Sequence, residues 1–247
     1  MINYLRNDDI LAITTNRYDG VSSGPYESAN FGFRTLDNKE NVEANYQILR
    51  NKLEINKENI YFTRQVHSDI FIEITKDSLN YQKRCDALFT LEKNCYLTVL
   101  SADCLPILFY CPDREIVGAI HAGWLGSAKL IAFKLLSYLI SNYQVDPQQV
   151  IVYFGPSIFS EVYEVGQDVY DKVCQHEIFN PQVCFQAKDN GKYWYDNRLF
   201  NQLQLEFLGI KQIVKLDECT YQNSEYFSYR RQPESGRQLS LIGMREK

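Results

Sequence analysis

Histidine is scarce in this chain, with three in 247 residues, and methionine and tryptophan number two each. Sites built from many imidazoles are therefore excluded. Any metal or acid–base role for histidine falls to His67, His121 or His176. No apolar run approaches the roughly 20 residues of a membrane span. There is no long Lys/Arg run, and the formal net charge is −5. Nonspecific nucleic-acid binding needs a basic surface, so it is not expected. The opening residues, MINYLRNDDILAI, lack a signal-peptide core, which points to the cytoplasm. Seven cysteines are dispersed without a C-x-x-C pair. In a reducing compartment they are expected to be thiols, mostly packed as small hydrophobes, with one or two doing chemistry.

Apolar residues make up 45% of the chain, enough for a full core. No repeat, low-complexity tract or linker is evident. NKENVEANYQILRNKL reads as a helix with apolar positions at Val42, Tyr46 and Leu49. IYFTRQV reads as a strand ending at His67, and FIEIT, DALFT and YLTVLSA as further strands. PILFY and EIVGAIHA form an expected hairpin. From Gly126 to Asn142 apolar residues recur with helical spacing. VIVYFGP follows as a strand, then VGQDVYDKVCQH and NRLFNQLQLEFL as helices. IVKLDECTY, YFSYRR and QLSLIGM read as closing strands. The mixture predicts an α/β or mixed α+β fold with a mixed sheet, as one domain over residues 1–247.

His67, Cys104 and His121 each fall at the end of an expected strand or in the turn after it. Three such positions can converge at one sheet edge. Two imidazoles and a thiolate leave a tetrahedral zinc one open place. The spacing matches no local zinc-finger pattern. Hydrogen-bonded structural histidines and an inert buried thiol are the plain alternatives. His176, between Gln175 and Glu177 in a polar helix, reads as surface.

At these residues the chain resembles the proteins long labelled multicopper polyphenol oxidases or laccase-domain proteins, the YfiH-like family. QVHSD, CDALFT, SADCLPILF, HAGWLG, GPSIFSEVYEVG and CTYQNSEYFSYRR carry the resemblance, in order, from about Gly20 to Gly243. It implies a single α/β domain with a mixed β-sheet core flanked by helices. It implies a zinc site from His67, Cys104 and His121, with copper as the other candidate ion. It also implies small-molecule partners, a purine nucleoside and phosphate. The reactions implied are phosphorolysis of adenosine, inosine or methylthioadenosine and hydrolytic deamination of adenosine. The laccase label is a poor expectation, because one mononuclear and one trinuclear copper site need more imidazoles than three histidines supply. A cysteine-dependent amide hydrolase is the alternative, with Cys104 as nucleophile, His121 as base and a peptidoglycan precursor as substrate.

Four residues depart from the family pattern: Ser68 for Gly, Cys85 for Ala, Arg34 for His, and Leu125 for the Arg of H-A-G-W-R-G. If that Arg holds phosphate, this chain needs high phosphate for phosphorolysis, with Lys129 one helical turn on as a substitute. Asp86 is expected to orient a ligand histidine, to accept a proton or to cap a turn. Asp103 should point away from Cys104. Gln65 would share the face of His67 in a strand and reach substrate. Gly123, with Gly126, would offer free N–H groups at a helix start. Arg230 and Arg231 alternate on a strand, so at most one enters the site. Cys219 is read as packing.

Overall fold

The structure is a computed structural model that describes residues 2–6, 9–78 and 83–246. In chain order, β1 (Ile2–Arg6) and β2 (Ile10–Thr14) precede α1 (Lys39–Leu53). Next come β3 (Ile60–Tyr61), β4 (Phe71–Glu73), β5 (Ala87–Thr90), β6 (Tyr96–Ser101), β7 (Leu105–Cys111) and β8 (Ile116–Ala122). Helices α2 (Trp124–Ala128) and α3 (Ile131–Tyr143) lead to β9 (Ile151–Phe154) and β10 (Glu164–Val165). Then follow α4 (Gln167–Cys174), β11 (Phe185–Ala187), β12 (Tyr193–Tyr195), α5 (Asn197–Phe207), β13 (Gln212–Lys215) and β14 (Gln238–Met244).

A five-stranded sheet runs β1-β2-β14-β6-β3 and a six-stranded sheet runs β13-β9-β7-β8-β5-β4. Both are mixed: β3–β6, β13–β9 and β4–β5 pair in parallel, the other pairs antiparallel. The two sheets face one another. Ile10, Ala12, Leu97, Val99 and Ile242 of one meet Leu88, Leu108, Val117 and Ala119 of the other, all buried. The outer face of the five-stranded sheet takes α1, through Val42, Tyr46, Leu49 and Leu53. The outer face of the six-stranded sheet takes α3, through Ile131, Leu135 and Leu139. The result is four layers, helix–sheet–sheet–helix, and a mixed α/β fold. Strands buried on both faces explain the near-continuous apolar runs in β7, β8 and β14. A small sheet, β10-β12-β11, packs with α4 and α5.

Four sequence expectations change. IYFTRQV is a strand only over Ile60–Tyr61. After Tyr61 the Gln65 side chain takes over the edge of β6: its amide donates to the Leu100 carbonyl and accepts from the Leu100 N–H, both at 2.8 Å. The Gly126–Asn142 helix is broken at Leu130, which has φ 63°. His176 Nε2 lies 2.7 Å from the Ala128 carbonyl oxygen, which an unbroken helix would pass to the N–H of Ala132. His176 is thus half-buried and bonded, not solvated surface. YFSYRR is a chain of turns, not a strand. The Arg231 guanidinium donates to the carbonyls of Thr220, Tyr221 and Tyr226 and so folds that segment around itself.

Candidate metal centre and active-site cavity

The chain passes from the five-stranded to the six-stranded sheet twice at the same end. One passage leaves β3 and carries His67; the other, Ala102–Cys104, joins β6 to β7. Because β3 and β6 run parallel, both exits fall on one edge. The last turns of β8 come back to that edge, since Leu105 pairs with Ala122 and Pro106 with His121. Topology alone therefore gathers His67, Cys104 and His121.

Their ligand atoms lie within 4.8 Å of one another, and His67 Nε2 is 3.8 Å from Cys104 Sγ. A tetrahedral zinc with bonds of about 2.0–2.3 Å sets its N and S ligands roughly 3.3–3.8 Å apart. The donor set therefore fits such an ion with little closure. Gly123 makes room for it. A Cβ there would come 2.9 Å from both Cys104 Sγ and His67 Cδ2.

Asp86 holds the cluster from behind. It is 1% exposed and does not line the cavity, so it positions groups that do. Its carboxylate accepts from the N–H groups of Val66, His67 and Ser68, from Ser68 Oγ, and from His121 Nδ1 at 2.9 Å. These bonds curl the backbone around the carboxylate and set His67 at φ 56°, which ends any strand before it. Ser68, in the place of the family Gly, adds one of the bonds. The Nδ1–H bond to Asp86 leaves His121 Nε2 as the ligand atom.

Charge follows from the same contacts. Burial pushes the Cys104 thiol up, but His121 and His67 outweigh it and bring it down to about 6. Burial lowers His121, but Cys104 and Asp86 raise it to about 9. Burial raises Asp86, yet its bonds from His121 and Ser68 hold it well below the usual carboxylate range. Without an ion the group is a thiolate–imidazolium pair on a buried carboxylate.

The cluster lies in a cavity of about 880 Å³. Phe33, Leu100, Trp124, Ile158, Tyr163 and Tyr229 supply apolar and aromatic lining, and Arg34, Arg64, Arg230 and Arg237 supply charge. Among the residues singled out from sequence, Gln65 lines the cavity but its amide is committed to Leu100. Gly123 lies under the donors, at the start of a five-residue helix. Arg230 lines the cavity, its guanidinium 5.1 Å from the Tyr163 ring centroid. Arg231 does not line it. Leu125 does not line it either, and exposed Lys129 acts on Asp69, so neither is placed to hold phosphate in the cavity. Asp103 turns from the cluster, accepting from Thr220 Oγ1 and the Arg230 N–H. Cys219 is buried. Sequence reasoning passed over Tyr163, Trp124, Tyr229 and Arg237. Of these, Trp124 beside HAG carried a local signal.

The family model described as multi-copper polyphenol oxidoreductase laccase matches residues 11–245. The chain belongs to this YfiH-like family. A Haemophilus influenzae relative named purine nucleoside phosphorylase is 35% identical over 237 residues, covering 95% of this chain and 94% of its own. Bacillus subtilis YlmD, named likewise, is 30% identical over 252 residues, covering 97% and 90%. Among solved structures, Bacillus licheniformis YfiH superposes with a TM-score of 0.91 at 29% identity, over 96% of this chain and 93% of that one. YlmD from Geobacillus stearothermophilus gives 0.89 at 29%, over 96% and 92%. The laccase name of this YfiH-like family sits poorly with the donors present. Two histidines are in the cluster, and the third, His176, bonds a helix carbonyl.

Proposed function

We propose that this chain is a purine nucleoside enzyme working on small molecules in the cytoplasm. It cleaves adenosine, inosine or methylthioadenosine with phosphate and deaminates adenosine hydrolytically, with zinc at His67, Cys104 and His121. The observation that supports this most is the pairing of that three-donor cluster with an aromatic, arginine-lined cavity. The names of the relatives support the substrate class. No helix among the described residues is long and apolar enough to cross a membrane.

A zinc ion held there would supply Lewis-acid polarisation of a water or substrate oxygen. The chain's own residues do the rest. Trp124, Tyr163 and Tyr229 offer faces on which a purine stacks. The arginines attract an anionic second substrate. Asp86 fixes the His121 tautomer and the His67 turn, so the donors keep their places as substrate binds. In phosphorolysis a phosphate oxygen bonds to the ribose C1′ as the bond to the base breaks. The base leaves with the electron pair and takes a proton.

The test is metal analysis of the purified protein, with nucleosides assayed with and without phosphate, before and after chelation. The reading expects about one metal per chain, phosphate-dependent release of free base, and loss of both reactions on chelation. It fails if nucleosides are untouched by the metal-loaded protein. One observation favours a second reading. Cys104, His121 and Asp86 are linked in the order of a nucleophile, a base and its orienting acid. An amide hydrolase of that type would stay active without metal and be blocked by thiol alkylation.

A further inference from the structure

Four arginines line the cavity, Arg34, Arg64, Arg230 and Arg237, against one carboxylate, Asp103. The Asp103 oxygens already accept from Thr220 Oγ1 at 2.7 Å and from the Arg230 backbone N–H at 2.6 Å. No ion pair among the described residues involves any of the four guanidiniums. This is a concentration of positive charge in a chain of net charge −5. It contrasts with Arg50, which pairs with Glu43, and with Arg231, which is wrapped in loop carbonyls.

Arg237 stands apart from the other three. It is half-buried, whereas they are exposed. Its Nη1 donates to the carbonyl oxygens of Ser235 and Gly236, each at 2.7 Å. Its Nε and Nη2 make no hydrogen bond among the described residues. Its stem packs on Gly32, where a Cβ would lie 3.0 Å from Arg237 Cγ. One edge of the fork is thus tied to backbone and the other is left for the cavity. Burial disfavours its charge, and Cys104 and Asp103 are the main negative groups acting on it. Arg237 lines the same cavity as His67, Cys104 and His121. Arg34 stands on the same wall, two residues beyond Gly32, its Nη1 at 3.3 Å from the Gln65 carbonyl oxygen.

We propose that Arg237, with Arg34 beside it, anchors a subsite for a tetrahedral phosphoryl dianion facing the His67–Cys104–His121 cluster. A half-buried guanidinium in no ion pair is unfavourable, and a dianion supplies both a close charge and two acceptors for the open edge of the fork. The cavity's volume, about 880 Å³, is near the upper end of ordinary ligand pockets and admits a nucleoside and phosphate together. The subsite rests on the purine reading only for what the phosphoryl group meets. The group has two sources, inorganic phosphate as second substrate or the phosphate of a phosphorylated nucleoside.

The test is thermal-shift titration of the metal-loaded protein at constant ionic strength, with inorganic phosphate, adenosine 5′-monophosphate and adenosine as probes. Phosphate should raise the melting temperature of wild type saturably. Arg237→Gln should weaken that response by roughly 10- to 150-fold in concentration, the effect of losing a charge-assisted bond. Arg237→Lys should fall between, and Lys57→Gln, on an exposed surface, should match wild type. If Arg237→Gln does not fold, Arg237→Lys and Arg34→Gln carry the comparison. A response to the monophosphate alone, lost in the variants, supports the subsite and assigns it to a phosphorylated nucleoside. Equal responses in wild type and all the variants overturn it, as does the absence of any response to both anions. Adenosine alone separates the two readings. If it stabilises wild type and Arg237→Gln alike while phosphate does nothing and the monophosphate gives no more than adenosine, the subsite fails and the nucleoside reading stands.

Discussion

Asp86→Asn tests the frame of the metal centre with almost no change in shape. In wild type Oδ2 accepts from the N–H groups of Val66 and Ser68 and from Ser68 Oγ, while Oδ1 accepts from the N–H groups of Val66 and His67 and from His121 Nδ1. An amide nitrogen must replace one of these oxygens. At Oδ1 it would face both the His67 N–H and His121 Nδ1–H. At Oδ2 it would face the Ser68 N–H, while Ser68 Oγ can rotate and accept. The second placement costs less and still orphans one buried donor, and the charge on His121 loses its partner. One orphaned donor at about 1–3 kcal/mol, with about 1 kcal/mol more for the lost charge partner, gives about 2–4 kcal/mol for the metal-free protein. In a chain of this length that is a fall of roughly 4–16 °C in Tm. Metal affinity should fall by roughly 10- to 100-fold, as for other lost partners of ligating histidines. The pH dependence adds a check. The folded carboxyl is held below its unfolded value, so its contribution is present above about pH 4 and is lost as pH falls through the folded value. The gap between wild type and Asp86→Asn should therefore be full at neutral pH and shrink in acid. Calorimetry of the metal-free proteins and a zinc titration measure both effects. A variant that melts within about 1 °C of wild type and binds zinc equally would refute this account of the turn.

Three further outcomes follow from the same geometry. In metal-depleted protein, alkylation of Cys104 by iodoacetamide should rise with an apparent pKa near 6; a midpoint in the ordinary thiol range would show that His121 and His67 do not stabilise the thiolate. Gly123→Ala puts a methyl 2.9 Å from Cys104 Sγ and His67 Cδ2, so metal content should drop while the metal-free protein loses only about 1–3 kcal/mol of stability; unchanged metal content counts against the packing argument. Leu125→Arg should saturate at the same phosphate concentration as wild type, because Leu125 does not line the cavity; a lowered requirement would place the family arginine in the phosphate site after all.

Cys104 and His121 were legible as candidates because each stands at the end of a strand, whereas His67 lies six residues past β3 and was joined to them by the family resemblance. Helix α1 and the β7–β8 hairpin were legible because their periods are unbroken. What escaped was set by side chains meeting backbone across long separations. Gln65 sits in a β-like stretch, yet its amide fills the edge of β6. At the break at Leu130 the Ala128 carbonyl is met by His176, 46 positions beyond Leu130 in a segment that reads as an ordinary polar helix. The YFSYRR run alternates like a strand, and only the carbonyls around Arg231 show why it turns. The aromatic lining was hidden because Tyr163 and Tyr229 have no periodic partner; they come to line one cavity with Trp124 only through the fold.

The place of β14 has a consequence for how the molecule comes into being. It lies between β2 and β6, so the five-stranded sheet has a gap until the segment near the end of the sequence is inserted. Pairing Leu241 with Ile13 joins residues more than two hundred positions apart, and such closure is slow relative to local hairpins. During synthesis the three donors emerge early, while Arg230 and Arg237 arrive with the last stretch before that strand. A nascent or truncated chain would therefore carry the thiol and imidazoles before the cavity that encloses them, with two long strand edges open to mispairing.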